Sequence, residues 1–281
     1  MKSLYHIYQL CIAAPLIILS TIACALTTII GCSIGNSRFW GYWPGKVWSI
    51  VVCRLLLLPI KVEGREKLEK GNSYVFVANH QGALDIFLIY GFLGRNFKWM
   101  MKKSLKDIPL VGYACKKAGF VFIDRKNPRA TIESIQQARK ILTQGMSLMI
   151  FPEGTRTFDG HMRSFNKGAF FLADKLQLPV VPITIDGSFD ALPRTKGVSF
   201  VTRHKMRLVI HDIIPPMGRG TDNMGELSRK SFAAINSALP PAYQSIIMPE
   251  NTTIDSPSAL KSTIPTPPNS DGGHNAKLKQ E

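Results

Sequence analysis

The residues best suited to chemistry form three polar clusters set at the ends of apolar runs. The first is Asn79-His80-Gln81-Gly82-Ala83-Leu84-Asp85. His and Asp five positions apart do not share a helical face, because five steps of about 100° put them roughly 140° apart. They meet if His80 leaves a strand end, the QGAL segment turns, and Asp85 opens the next helix pointing back. Asp85 then accepts from Nδ1–H of His80 and leaves Nε2 to take a proton. That is the orienter and base of a catalytic triad, with the nucleophile supplied by a substrate hydroxyl. A bare His/Asp spacing recurs by chance, and a capping Asp beside a structural His accounts for it equally well.

The second cluster is Phe151-Pro152-Glu153-Gly154-Thr155-Arg156, again after an apolar run. Glycine between Glu and Arg suits a loop whose backbone approaches a ligand closely. Arg156 offers a planar fork for a phosphate, and Glu153 can hold a basic partner or the loop itself. A surface turn closed by a salt bridge is the plainer alternative. The third cluster is basic: nine Lys and Arg against two Asp between 98 and 129 give a local net charge of +7. Most such charges are solvated, but a cation between apolar strands needs an anionic partner, and phosphate fits.

The elements that position these clusters alternate. Residues 73–78 (SYVFVA), 119–123, 147–151 (SLMIF), 180–185 (VVPITI) and 206–210 (MRLVI) read as strands. Residues 85–93 (DIFLIYGFL) read as a short helix with Asp85 at its N-cap. Asn127-Pro128 opens a helix running to 142, with Ile132, Ile135 and Leu142 on one stripe. This rhythm predicts an α/β fold, a layered sheet flanked by helices, spanning 63–248. No internal repeat is evident.

Residues 10–30 carry no charge and would span about 31 Å as a helix, the thickness of a bilayer core. A second apolar run, 47–60, is broken by Arg54 and preceded by Trp40, Tyr42, Trp43 and Trp48, rings that favour the headgroup boundary. Residues 1–62 therefore read as a membrane-associated helical segment, either one span or a two-helix hairpin. A cleaved signal with Ala23-Cys24-Ala25 at the cut is the competing reading, but the apolar run continues to Ile30. Arg38, Lys46, Arg54, Lys61, Arg65 and Lys67 follow it against Lys2 before it, which places the bulk on the cytoplasmic face of the inner or plasma membrane. Residues 249–281 are rich in Pro, Ser, Thr, Asn and Gly and read as a disordered tail. The sequon Asn251-Thr252-Thr253 matters only if that tail is luminal.

Composition bounds the function. The chain has 281 residues, a net charge of +16 and 45% apolar residues, which excludes a disordered or polytopic class. Five cysteines without a Cys-x-x-Cys pair exclude a disulfide scaffold and a zinc ribbon. The positive excess admits nucleic acid or an anionic membrane or phosphate ligand, and no nucleic-acid signature is present.

Taken together, the ordered clusters resemble the 1-acyl-glycerol-3-phosphate acyltransferases, within the wider glycerolipid acyltransferase group. The resemblance covers roughly 75–190. Its blocks are Asn79, His80 and Asp85; GFVFIDR at 119–125; Glu153-Gly154-Thr155-Arg156; and Val181-Pro182-Ile183. The upstream segment KKSLKDIPLVG at 102–112 is also similar to the family's lysine-containing segment. The resemblance implies that His80 and Asp85 are catalytic. It implies that Lys103, Arg125 and Arg156 neutralise the acceptor's phosphate while Glu153, Gly154 and Thr155 shape that pocket. The implied reaction moves a fatty acyl group from an acyl thioester to the sn-2 hydroxyl of 1-acyl-glycerol-3-phosphate, giving phosphatidic acid. Another lysophospholipid, an amino-acid lipid or glycerol 3-phosphate is the alternative acceptor. No metal or cofactor is implied. Acyl-CoA or acyl-ACP is a co-substrate, so acyl carrier protein is an alternative partner beside membrane lipid, and nucleic acid is not one. Lys102 and Lys106 read as solvated or lipid-facing, and Cys115 as a small core residue. His161, His204 and His211 receive no role, and Phe165, Phe170 and Phe171 read as core.

Overall fold

The computed structural model describes residues 2–123, 136–140, 142, 145–194 and 199–245. Residues 1–247 form one compact unit. Residues 249–281, read from sequence as a tail, lie outside the described residues, as do Asn127, Pro128, Ile132 and Ile135 of the expected helix. Residues 136–140 of that helix are helical, and Ala138 is buried.

Seven strands form a single sheet in the order β1-β7-β6-β2-β5-β3-β4. They are β1 (Ile60–Glu63), β2 (Val75–Ala78), β3 (Phe97–Lys102), β4 (Val121–Ile123), β5 (Ser147–Ile150), β6 (Val180–Asp186) and β7 (Met206–Ile210). From β6 through β2, β5 and β3 to β4 every pairing is parallel, and only β6 with β7 is antiparallel. The central strands are apolar on both faces, as a sheet covered on both sides requires. Phe76 and Ala78 of β2 face one core with Met149, Ile183 and Ile185. Val75 and Val77 face the other with Leu148, Ile150 and Val180.

Helices supply the outer layers. On the first face lie α3 (Trp43–Leu55) and α4 (Leu84–Phe92), whose Val52, Leu88, Ile89 and Tyr90 fill that core. Also on that side, Ala118 and Phe120 follow α5 (Val111–Lys117). On the second face α6 (Gly168–Leu176) and α8 (Thr221–Ala238) contribute Phe170, Leu172, Leu227, Phe232 and Ile235. Gly45 of α3 lets Tyr90 approach, since a Cβ there would fall 2.0 Å from the ring. The Tyr90 hydroxyl donates to the Gly41 carbonyl at 3.1 Å.

The N-terminal helix runs from α1 (Lys2–Tyr8) through a π-helical turn, Gln9–Ala13, into α2 (Ala14–Ile34). Over Ser3–Ile34 it is long and apolar enough to cross a membrane. One side packs on the domain. Gln9, at the π turn, is buried and exchanges two hydrogen bonds of 2.8 Å with the backbone of Val201. The Tyr5 and Tyr8 hydroxyls donate to the Leu56 and Leu55 carbonyls at 2.6 and 2.9 Å. Its other side exposes Leu4, Ile7, Leu10, Ile18, Leu19 and Ile30.

Candidate active site

Parallel strands carry their C-terminal ends to one edge of the sheet, and the polar clusters leave the chain there. His80 follows β2 by two residues, and Phe151–Arg156 follow β5 directly. Asn79 fixes the first exit: its Nδ2 donates to the Ile185 carbonyl at 2.8 Å and its Oδ1 accepts from Ile185 N–H at 2.7 Å. β2 and β6 are thus clamped side by side where the sheet ends.

His80 and Asp85 come together. Nδ1 of His80 lies 2.7 Å from Oδ2 of Asp85. That same oxygen accepts from Gly82 N–H at 2.9 Å, so the turn between the two residues holds the carboxylate in place. Helix α4 begins at Leu84 with Ala83 at its N-cap, so Asp85 sits inside the first turn rather than at the N-cap expected from sequence. The turn hydrogen-bonds through Gly82 instead. Asp85 is fully buried, while the His80 side chain keeps 15% of its surface in solvent. Its imidazole stacks on Phe151 with ring centroids 3.9 Å apart and planes 8° from parallel, and Phe151 stacks in turn on Trp99 at 5.6 Å. The ring is therefore held by a carboxylate at one edge and an aromatic face beneath it, with Nε2 on the edge away from Asp85.

Glu153 ties the second cluster to the first. Oε1 accepts from His80 N–H at 2.8 Å and Oε2 from Arg163 N–H at 3.0 Å. His80 also accepts, through its carbonyl, from Thr157 N–H at 2.9 Å. Burial pushes the Glu153 carboxyl up to about 8, opposed by those two N–H donors. Both carboxyl oxygens are engaged by backbone, so in this geometry Glu153 fixes the loop against His80. Gly154 adopts φ +74°, a conformation open to glycine. Thr155 Oγ1 accepts from Arg194 Nη1 at 3.1 Å. Arg156 is half-buried, and among the described residues its guanidinium pairs with no carboxylate.

The remaining candidates separate. Lys103 is exposed at the start of a 3-10 turn, Lys103–Asp107, directly after β3. The GFVFIDR block runs through β4, and its Arg125 lies outside the described residues. Lys98, one of the basic cluster, is buried in β3, and its Nζ donates to the Ser37 carbonyl at 3.4 Å. Burial lowers its pKa to about 8. Cys115 is a free thiol pushed up to about 12 by burial, which suppresses the reactive thiolate. His211 bonds Thr184 Oγ1 through Nε2 at 2.7 Å, away from the site. Two participants escaped the sequence reading. Phe151 gave only its position before Pro152, and Arg194 lies 39 positions from Thr155 with no pattern linking them.

Residues 59–186 match a family model described as Acyltransferase. An uncharacterized acyltransferase of Schizosaccharomyces pombe is 32% identical over 203 residues, covering 70% of this chain and 71% of that protein. The chain belongs to the acyltransferase family that includes the 1-acyl-sn-glycerol-3-phosphate acyltransferases. A 1-acyl-sn-glycerol-3-phosphate acyltransferase of Chlamydomonas reinhardtii is 37% identical over 183 residues, covering 65% of this chain and 53% of that protein. The chain spans about half the length of the algal and plant relatives it matches. The crystal structure of the 1-acyl-sn-glycerophosphate (LPA) acyltransferase PlsC from Thermotoga maritima aligns with TM-score 0.68 and 26% identity, covering 82% of this chain and 94% of that one. The chain therefore shares its layered sheet with an enzyme of known structure.

Proposed function

We propose that the protein acylates the sn-2 hydroxyl of 1-acyl-glycerol-3-phosphate from an acyl thioester, forming phosphatidic acid for phospholipid synthesis. The observation that carries this reading is the imidazole of His80, held at Nδ1 by a buried carboxylate 2.7 Å away at the edge where the parallel strands end. Asp85 fixes the tautomer that leaves Nε2 as acceptor and stabilises the imidazolium when it forms. His80 Nε2 removes the hydroxyl proton as that oxygen attacks the thioester carbonyl. The tetrahedral intermediate collapses, the carbon–sulfur bond breaks, and the imidazolium returns its proton to the leaving thiolate. No acyl-enzyme forms, because the protein holds both substrates against one edge, and that positioning accounts for much of the rate.

Arg156, Lys103 and Arg125 neutralise the acceptor's phosphate in this scheme. Support comes from the Arg156 guanidinium, which is half-buried and without a carboxylate partner among the described residues. An apolar recess between α2, α3, α4 and α5, lined by Cys24, Trp48, Tyr90, Cys115 and Phe120, matches the apolar character of a fatty acyl chain. The exposed apolar side of the N-terminal helix suits a lipid surface, with the site on the cytoplasmic face. Acyl-CoA or acyl-ACP serves as donor.

Purified protein supplied with lysophosphatidic acid and acyl-CoA is expected to yield phosphatidic acid by lipid mass spectrometry. Faster product formation from a lysophospholipid with a larger headgroup, or from glycerol 3-phosphate, overturns the assigned acceptor. No acylated product with any of these overturns the reaction.

A further inference from the structure

The segment that leaves β6 forms a third side of the site, although none of the recognised sequence blocks includes it. After β6 the chain turns at Gly187, φ +85°, into a single helical turn, α7 (Ser188–Ala191). This arm lies against the turn that holds Asp85: a Cβ on Gly82 would meet Ser188 Oγ at 2.7 Å, the Ser188 carbonyl at 3.1 Å and the Leu192 carbonyl at 3.2 Å. At its far end Arg194 reaches the Glu153–Arg156 loop. Nη1 donates to Thr155 Oγ1 at 3.1 Å and to the Arg156 carbonyl at 3.2 Å. Its guanidinium also lies over the Phe158 ring, 4.0 Å from the centroid.

We infer that Arg194 is a phosphate-binding residue of the acceptor site, set by its bonds to Thr155 and Arg156 so that its remaining N–H groups bind the acceptor's phosphate. The fork of Arg194 is bonded to the carbonyl of Arg156, and the Arg156 guanidinium is itself half-buried. Among the described residues neither pairs with a carboxylate, and the hydrogen bonds of Arg194 leave from Nη1 alone. Nη2 and Nε are the donors left over. A phosphate with two charges and three oxygens matches two planar forks. The ring of Phe158 holds the plane of the fork while leaving its edge to bind. A solvated Arg would not keep its head fixed to a loop carbonyl and a ring face at once. The inference rests on the proposed acyl transfer and adds to it a residue 38 positions beyond the last residue of the Glu153–Arg156 block.

The test is kinetic. Arg194→Ala is expected to raise KM for lysophosphatidic acid about 10- to 100-fold, the range for lost charge-assisted hydrogen bonds. The kcat should stay within about threefold, and KM for acyl-CoA, whose own phosphates are the other possible source of the anion, should not move. Arg194→Lys keeps the charge but loses the fork, and its KM should fall between the two. A rise confined to acyl-CoA, or equal losses in kcat and both KM values with Lys no better than Ala, overturns the assignment. Calorimetric titration with glycerol 3-phosphate, which needs no turnover, covers a poorly folding Ala variant. Weaker binding by Arg194→Lys than by wild type supports the inference. Equal binding overturns Arg194 alone, whereas wild type that neither binds glycerol 3-phosphate nor acylates lysophosphatidic acid overturns the acyl-transfer reading with it.

Discussion

Replacing Asp85 by Asn tests how the base is prepared, because the local hydrogen bonds decide which end of the amide faces His80. In the native site Oδ2 receives two donors, His80 Nδ1–H at 2.7 Å and Gly82 N–H at 2.9 Å. Gly82 N–H cannot accept, so an amide at position 85 presents its oxygen to that point and turns its NH2 toward the place of Oδ1. His80 then keeps its proton on Nδ1 and its lone pair on Nε2, and only the negative charge is lost. Two unit charges about 4 Å apart interact by roughly 4 kcal/mol at an effective dielectric near 20, which caps the lost stabilisation of the imidazolium. At about 1.4 kcal/mol per decade, Asp85→Asn should lower kcat by about 10²- to 10³-fold with KM for the acceptor little changed. The loss should be smaller than the roughly 10⁴-fold that a wrong tautomer causes in a serine-protease triad. Among the described residues Oδ1 has no hydrogen-bond partner, so the incoming NH2 is buried unsatisfied and costs about 1–3 kcal/mol of stability, visible in a thermal melt. Phosphatidate formation measured by lipid mass spectrometry gives kcat. A loss below about threefold would refute the role of Asp85, and a loss beyond about 10⁴-fold with intact binding would refute the orientation argument.

Three further outcomes follow from the same contacts. Gly82→Ala places a Cβ 2.7 Å from Ser188 Oγ and 3.1 Å from a backbone oxygen, so both the melting temperature and kcat should fall as the turn is pushed off Asp85. Glu153, raised from an ordinary 4.5 to about 8 by burial, binds a proton in the folded chain that the unfolded chain has released. Stability should therefore decline as pH rises between those two values and level off above them, and Glu153→Gln should flatten the profile of melting temperature against pH. Gln9→Leu leaves the N–H and carbonyl of Val201 without their 2.8 Å partners, and should cost about 1–3 kcal/mol and speed proteolysis near 201 in detergent-solubilised protein.

The strands around the site were legible because a sheet buried on both faces needs continuous apolar runs, and β2, β5 and β6 have them. β3 was not, because Lys98 and Lys102 break its run; burying Lys98 is tolerated only where its Nζ finds the Ser37 carbonyl and its pKa drops. β1, four residues that include exposed Lys61, is too short and mixed to stand out. Helix α8 was missed since its polar residues dominate, with burial confined to Leu227, Phe232, Ile235 and the polar Asn223 and Ser231. His80 and Asp85 were readable as a pair because one turn joins them. Phe151 and Arg194 were not, because a ring stacked beneath an imidazole and a guanidinium bonded to a loop carbonyl are products of strand order, which local spacing does not encode.

Strand order also explains why blocks so far apart in sequence act in one place. β3, β5, β2 and β6 are neighbours and parallel, so each strand's exit must fall on the same edge of the sheet. Lys103 follows β3, Phe151 to Arg156 follow β5, His80 follows β2, and the arm ending at Arg194 follows β6. The order along that edge places the base between the loop bearing Arg156 and the arm that braces Gly82. A cation from any of these exits needs no long reach to meet an anion held beside His80. An antiparallel neighbour could not contribute in this way, and β7, which pairs antiparallel with β6, ends at Ile210 on the opposite edge. His211, which follows it, accordingly bonds Thr184 and takes no part in the site. Direction of the strand, more than the residue type that follows it, separates the histidine that can act as a base from the one that cannot.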